Sequence, residues 1–467
     1  MPDTRSATAS AENDAQKLEK LGYKPQLKRA LSLRDLTIYG LLFMVIIAPH
    51  SIYGFVHTDS HGMSTFVYMV GFTAMFFTAL SYCRMSARFP IAGSVYSYVQ
   101  HGINPHVGFI AGWLILLDYI FAPGLLYLLV GLWCQELFPA IPAWIWIVLF
   151  IIVNTVINVR GIEVAAKADF IFFIVEIGVV LAIVIGGLYY VLGEGGGAGQ
   201  LTVEPFYQPG RINAAFIATA CSIAALNYLG FDGISTLAEE THQPERNVGR
   251  AILLSLAVIG VVFFLQTYVV SLIEPDYTKM KPETAFFDTC EIALGHGFRI
   301  LLLVVNILAV GIANILNAQA ACSRVLFSMS RDRLLPGFLS KVHPRFMTPY
   351  ASVIFVGLLS LICSMVSTVD GLARLVNFGA ITSFIMLNAA VFWFFFVREK
   401  ERSGKAIIRS LICPFIGAGI LIYVWTGFDQ LTQIVGFSWL AVGLIVGFVK
   451  SKGYKEVPQA FKSIKMS

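Results

Sequence analysis

The sequence predicts an all-α membrane protein with about twelve transmembrane helices. Three observations carry this. The chain of 467 residues is 57% hydrophobic and only 13% charged, about half the charged share of a soluble domain. Its apolar residues gather in repeated runs of about 20, the length that crosses a bilayer at 1.5 Å rise per residue. Its lysines and arginines collect in alternate connections, as they do when every second loop faces the cytoplasm.

In chain order the apolar runs predict spans at 36–58, 64–84, 107–134, 141–159, 167–192, 213–238, 250–273, 297–329, 350–369, 371–397, 407–427 and 431–449. The first reads LTIYGLLFMVIIAPHSIYGFVHT. Pro49 removes a backbone donor there and Gly54 lowers helix propensity, while His50, Ser51 and Tyr53 add polarity. The third carries Asp118 in the middle of GFIAGWLILLDYIFAPGLLYLLVGLW, and the fifth carries Glu176 in FIFFIVEIGVVL. The sixth, FIATACSIAALNYLGFDGISTLAEE, is interrupted by Asn227, Gly230, Asp232 and Gly233. The eighth is overlong, which predicts tilt or extension beyond the lipid. It holds Asn314 and Asn317, and the tenth holds Ser383 and Asn388.

Charge sets the expected orientation. Inner segments take Lys17, Lys20, Lys24, Lys28, Arg29 and Arg34 of the polar N-terminal stretch, then Arg84, Arg88, Arg160, Lys167, Arg246, Arg250, Arg324, Arg331, Arg333, Lys341, Arg345, Arg398, Lys400, Arg402, Lys405, Arg409 and the lysines from Lys450 onward. Outer loops hold only Arg211, Lys279, Lys281, Arg299 and Arg374. The ratio is roughly five to one, so both termini are expected in the cytoplasm. The N-terminal stretch lacks a short apolar core with a cleavage site, so no cleaved signal peptide is expected. The seven cysteines are scattered without a CxxC pair and read as small apolar fillers, not as a metal or disulfide framework.

The interruptions in spans one and six lie five spans apart, an odd number that gives two repeats of opposite orientation. Irregular backbone within a membrane survives only where protein or water satisfies it. Matched broken helices in two halves point to a transport site. The bland alternative is that proline and glycine merely kink each helix. A carboxylate at bilayer mid-depth costs several kcal/mol by most scales. Asp118, Glu176 and Asp232 together therefore suggest a cavity that receives cations.

Three segments resemble the amino acid–polyamine–organocation transporters. They are ARFPIAGSVYSYVQHGINPHVGFIAGWLILLDY, NYLGFDGISTLAEETHQPERNVGRAI and SRVLFSMSRDRLLPGFLSKVHPRFMTP, in the expected order. Within that superfamily LLDYIFAP, GFDGISTLAEET, GEGGGAG and VNFGAITSFIMLN are most like the bacterial putrescine importers. The resemblance implies a 5+5 inverted-repeat (LeuT-like) core with helices 1 and 6 broken, spanning 36–398. It also implies two peripheral helices at 399–450, between polar cytoplasmic tails at 1–35 and 451–467. It further implies import of putrescine or a related polyamine across the plasma (cell inner) membrane, coupled to an ion gradient. One departure stands out. Those importers carry an acid near the first break, whereas this chain has APHSIYGFV. A longer polyamine, a monoamine or a cationic amino acid therefore remains open as substrate, and an amino acid permease or exchanger is the runner-up.

A diamine is a pair of ammonium heads on an apolar stem. Carboxylates and carbonyls can replace water at the heads, and aromatic faces can line the stem. The candidate substrate residues are Pro49, His50, Ser51, Tyr53, Asp118, Tyr119, Tyr228, Phe231, Asp232, Asn314 and Asn388, with Glu176, Glu239 and Glu240 for coupling and gating. Adjacent helical residues diverge by about 100°, so Asp118 and Tyr119 cannot both face one spot. Tyr119 is expected to face the cavity. Asp232 reads either as an ammonium ligand or as a cap on the free donors after the break. Phe231 fits a bulky gate. Glu176 reads as a proton relay, with a proton rather than sodium as coupling ion, or as a partner for a polar group elsewhere. Glu239 and Glu240 read as an inner gate with Arg246 and Arg250 close behind, or as an exposed helix-end pair worth under about 1 kcal/mol.

Other classes fit less well. The sparse acids and aromatic surround argue against a channel. No phosphate-cradling loop, HExxH or nucleophile elbow lies in the spans, which argues against an enzyme. No cofactor, metal or nucleic acid is expected; the expected partners are a small organic cation or amino acid, a proton and the lipid bilayer.

Overall fold

The computed structural model describes residues 27, 29–210, 212–282 and 284–453. Most of the polar N-terminal stretch with its lysines, Arg211, the chain beyond 453 and the side chain of Lys167 lie outside the described residues. What is described is helical, apart from one parallel bridge between Leu31 and Thr241. In chain order the helices are α1 (Leu33–Phe43), α2 (Pro49–Asp59), α3 (Ser64–Arg88), α4 (Ser94–Gly102), α5 (Pro105–Leu137), α6 (Ala143–Arg160), α7 (Ile162–Leu192), α8 (Ala214–Ala224) and α9 (Pro244–Ile273). Then follow α10 (Ala285–Leu294), α11 (His296–Leu308), α12 (Ile315–Arg331), α13 (Tyr350–Val366), α14 (Val369–Val391), α15 (Gly404–Ile407), α16 (Cys413–Trp425) and α17 (Gln430–Lys450).

Ten helical runs among the described residues are long and apolar enough to cross a membrane. They coincide with ten of the expected spans. The first span is instead two helices of 11 residues each, and the ninth is α13, with 17. Two short helices were not foreseen: α4, between the second and third spans, and α10, before the eighth.

Local chemistry explains the joints. Ser32 and Asp35 form a capping box at the start of α1. Asn104 caps α5 ahead of Pro105, which sits where a missing donor does no harm. The long eighth span is α11 and α12 joined by a π turn at Ala309–Asn314. The molecule sorts its helices by burial. Two-thirds of the third, sixth and eighth spans is buried (67% each), against 22% for the fourth and the twelfth. The third, sixth and eighth spans, with Asp118, Asp232 and Asn314, thus lie deepest, whereas the fifth, at 28%, turns only part of its surface, with Glu176, inward. Gly379 lets α14 lie directly on α5: a Cβ there would meet Leu114 O at 2.6 Å and Leu117 Cβ at 2.5 Å.

Candidate functional site

The two interruptions face each other. The sixth span passes from α8 through a 3-10 turn (Ala225–Tyr228) to Gly230 at φ 114°, then continues as a 3-10 helix over Phe231–Glu240. A Cβ on Gly230 would lie 2.9 Å from Phe43 O, and one on Gly233 would overlap the Phe43 ring at 2.1 Å. Only glycine permits both the left-handed turn and this approach. The first interruption runs from Met44 to Ala48, with Val45 at φ 56°. Pro49 is the first residue of the second half-helix and Gly54 lies inside it. The expected break thus sits one turn upstream of the proline, which starts a helix here instead of ending one.

Distant side chains satisfy the opened backbone. Ile46 N donates to Glu176 Oε2 at 3.1 Å. Gln266 Nε2 donates to Ile46 O at 2.9 Å, and Asn314 Nδ2 donates to Phe43 O at 2.9 Å. Glu176 therefore brings a carboxyl group to the first break, the place where the sequence offered no acid of its own. Gln266 also meets His50 Nε2 at 3.1 Å, and Asn306 meets His50 Nδ1 at 3.0 Å. His50 stacks on Phe286 at 4.1 Å between ring centroids. Sequence reasoning missed Gln266 and Asn306; the signal was an amide in each of two strongly apolar runs, VVFFLQTYVV and RILLLVVNIL.

A second cluster forms around Asp232, which is 1% exposed. Its Oδ2 accepts from the Tyr119 hydroxyl and from Ser94 Oγ at 3.3 Å. Its Oδ1 is buried with no hydrogen-bond partner. Asp118 lies near enough for the two carboxylates to repel each other. No hydrogen bond or ion pair among the described residues engages the Asp118 carboxylate, and the residue is 6% exposed. Aromatic rings cluster beside Asp232, beginning with Phe231 next to it in the chain. Tyr82 meets Phe231 and Phe384 edge-on at 5.4 and 5.8 Å, and Phe231 lies 5.4 Å from Phe384. Aromatic rings thus pack beside a carboxylate that keeps one buried oxygen without a hydrogen-bond partner.

A third cluster closes one end of the bundle. Arg331 grips Glu239 through two bonds of 2.9 Å, and Arg324 grips Glu240 through two bonds, one of 3.0 Å. The Arg324–Glu240 pair is almost fully buried, at 2% exposure on each side. The basic partners come from α12, not from Arg246 and Arg250 of α9, and the burial sets aside the exposed helix-end alternative. Ala92 N donates to Glu239 Oε1 at 3.0 Å, and Tyr96 donates to Asp332 at 2.6 Å. The chain before α1 lies across this cluster, with Ala30 N and Leu31 N both donating to Glu240 O.

The amino acid permease family profile matches residues 36–461. The chain belongs to this family. As a permease of the amino acid–polyamine–organocation superfamily it is a secondary transporter of small organic cations or amino acids, not an enzyme. It is 33% identical to the low-affinity putrescine importer PlaP of Escherichia coli, over 93% of this chain and 96% of that protein. It is 28% identical to the methylthioribose transporter of Bacillus subtilis, over 91% and 94% of the two chains. It is 26% identical to the branched-chain amino acid permease BcaP of the same organism, over 93% and 95%.

In this permease the remaining candidates do not converge on Asp232. Tyr53 bonds Ser271 at 3.0 Å on α9, and Ser51 bonds its own helix at Ala48 O. Tyr228 donates to Tyr68 O at 2.7 Å, turned toward α3. Asn388 holds Ser81 at 2.6 Å and Thr78 at 3.2 Å, joining α14 to α3 as interhelical glue. Ser383 bonds Gly379 O within α14. Asn314 serves the first break. Its neighbour Asn317 is fully buried with both side-chain polar atoms unpartnered.

Proposed function

We propose that this permease imports putrescine or a closely related organic cation across the plasma (cell inner) membrane, coupled to a proton, by alternating access. The observation that carries the reading is the pair of buried carboxylates, Asp118, which no described hydrogen bond engages, and Asp232, whose Oδ1 is unpartnered, with Tyr82 and Phe231 packed beside them. Buried charge of one sign without a counter-ion is costly, and an ammonium head offsets that cost through charge-assisted hydrogen bonds. The amide that an amino acid's carboxylate would need at the first break, Ile46 N, already faces Glu176, so a second anion there would meet like charge. The likeness to a putrescine importer agrees with this chemistry. The architecture that serves it has twelve crossings: a 5+5 inverted-repeat core over 36–398 and two peripheral helices over 399–450, with both termini cytoplasmic. Asp118, Tyr119, Phe231 and Asp232 bind the cation, Glu176 couples the proton, and Glu239 and Glu240 gate the inner end.

The test is uptake of radiolabelled putrescine into proteoliposomes under an inward proton gradient, an inward sodium gradient, or neither. The expected result is uptake driven by protons. Diamines should compete better than arginine, ornithine, leucine or glutamate, and Glu176→Gln should lose the gradient dependence. Uptake of leucine or glutamate that putrescine leaves untouched would overturn the cation reading. Unchanged gradient dependence in Glu176→Gln would remove that residue from coupling.

A further inference from the structure

At the end of the bundle that carries the Glu239 and Glu240 pairs, a cavity of about 660 Å³ opens between α3, α9 and the α15–α16 region. It plays no part in the transport site. Its lining joins apolar Leu80, Leu253, Phe395 and Cys413 to the basic Arg84, Arg88, Lys405 and Arg409, with Glu401 as the one carboxylate. Two of the four cations are already matched. Arg84 bonds Glu401 at 2.6 Å and lies over the Phe395 ring at 3.9 Å, and Arg88 bonds Glu399 at 3.1 Å. Lys405 and Arg409 are exposed and form no ion pair among the described residues. They stand one turn apart, on one face of the same helical run. Beyond them that run exposes Ile412 at 44% and Phe415 at 56%, an apolar surface continuous with the side of the bundle that meets lipid.

We propose that this cavity holds the headgroup of an acidic phospholipid, with Lys405 and Arg409 on the phosphodiester and an acyl chain along Leu80, Leu253 and Phe395. The net positive charge of the lining suits an anion. A basic side chain near a membrane surface contributes about 1 kcal/mol toward an acidic lipid. A free phosphate ion would gain nothing from the apolar part of the lining, which favours a lipid over a soluble anion.

Native mass spectrometry of the full chain tests this, with equal amounts of phosphatidylglycerol and phosphatidylcholine supplied in detergent. The expected result is one retained phosphatidylglycerol, with a preference that falls about tenfold or more in the Lys405→Gln/Arg409→Gln double variant. The charge-conserving swap Lys405→Arg/Arg409→Lys should restore it. Lys341→Gln/Arg345→Gln, which removes as much charge elsewhere on the surface, should leave it intact. Equal retention of both lipids by the unaltered chain would overturn the proposal. So would an equal loss in the Lys341/Arg345 control, or displacement of the lipid by millimolar glycerol phosphate, which would make this a soluble-anion site.

Discussion

At Asp232 one oxygen is held by Tyr119 and Ser94 while the other has no partner, and the two halves of that carboxylate separate two roles. An acid that only capped the broken sixth span would spend both oxygens on backbone donors. This one leaves Oδ1 without a hydrogen-bond partner. Asp232→Asn keeps an acceptor for Tyr119 and removes an uncompensated buried charge. The empty protein should therefore melt no lower than the unaltered one, whereas putrescine affinity should fall at least about tenfold, the loss of one charge-assisted contact. Isothermal titration and a melting curve on the same sample read both. A lower melting temperature with affinity unchanged would reduce Asp232 to a structural cap. The neighbouring pair at 118 and 119 shows what a residue-level reading reaches. The helical angle separates Asp118 from Tyr119, and the tyrosine is the one that bonds Asp232. That angle did not reveal that Asp118 approaches the same carboxylate from within the same helix.

Among elements, the broken first span shows why local sequence located an interruption and mistook its cause. Pro49 is visible in the chain, but a proline at the start of a half-helix reports a boundary, not the gap itself. The gap is held open by Glu176, Gln266 and Asn314, which are 130, 220 and 271 residues from the groups they satisfy. No periodicity in the first span encodes such partners. What the sequence does show is their oddity: single amides and acids in runs that are otherwise apolar. The sixth break was legible because its signals, Gly230, Asp232 and Gly233, are local to it. Gln266→Leu should therefore destabilise more than its neighbour's change Thr267→Val. Leucine strips partners from both Ile46 O and His50 Nε2, and buried polar groups left unsatisfied cost about 1–3 kcal/mol each. Threonine's hydroxyl only bonds back within α9, to Phe263 O. Thermal unfolding in detergent compares the two, and equal shifts would show that the break does not depend on its long-range stitches.

For the whole molecule, ten of the twelve expected apolar runs coincide with membrane-length helices among the described residues, and two of the arginines expected on the inner side, Arg324 and Arg331, lie at the end that carries Glu239 and Glu240. The pairing at that end was not legible. Glu239 and Glu240 are followed closely in sequence by Arg246 and Arg250, yet they reach Arg331 and Arg324 across the bundle. Proximity along a chain favours neighbours only when the helices do not cross, and α12 crosses here. These buried pairs, the Tyr96–Asp332 bond and the strand-like contact of Leu31 with Thr241 join four separate parts of the chain. If Glu239 and Glu240 gate the inner end, as proposed, alternating access requires this end to part, and its bonds set the population of the inward-open form. Removing one partner of a buried pair leaves the other unmatched, a change of about 3–5 kcal/mol. Glu239→Gln frees Arg331, which is 12% exposed and can turn to water, while glutamine still accepts from Ala92 N. Cys322 is the natural reporter: it is fully buried on α12, near enough to Asp118 to feel its charge. In a chain that retains only this cysteine, Glu239→Gln should raise the rate of maleimide labelling about tenfold or more, since each 1.4 kcal/mol shifts a two-state population tenfold. Adding putrescine should slow the labelling again if the cation closes the bundle around itself. An unchanged rate in Glu239→Gln would mean that the arginine pairs are a fixed strut, and that the inner end opens somewhere else.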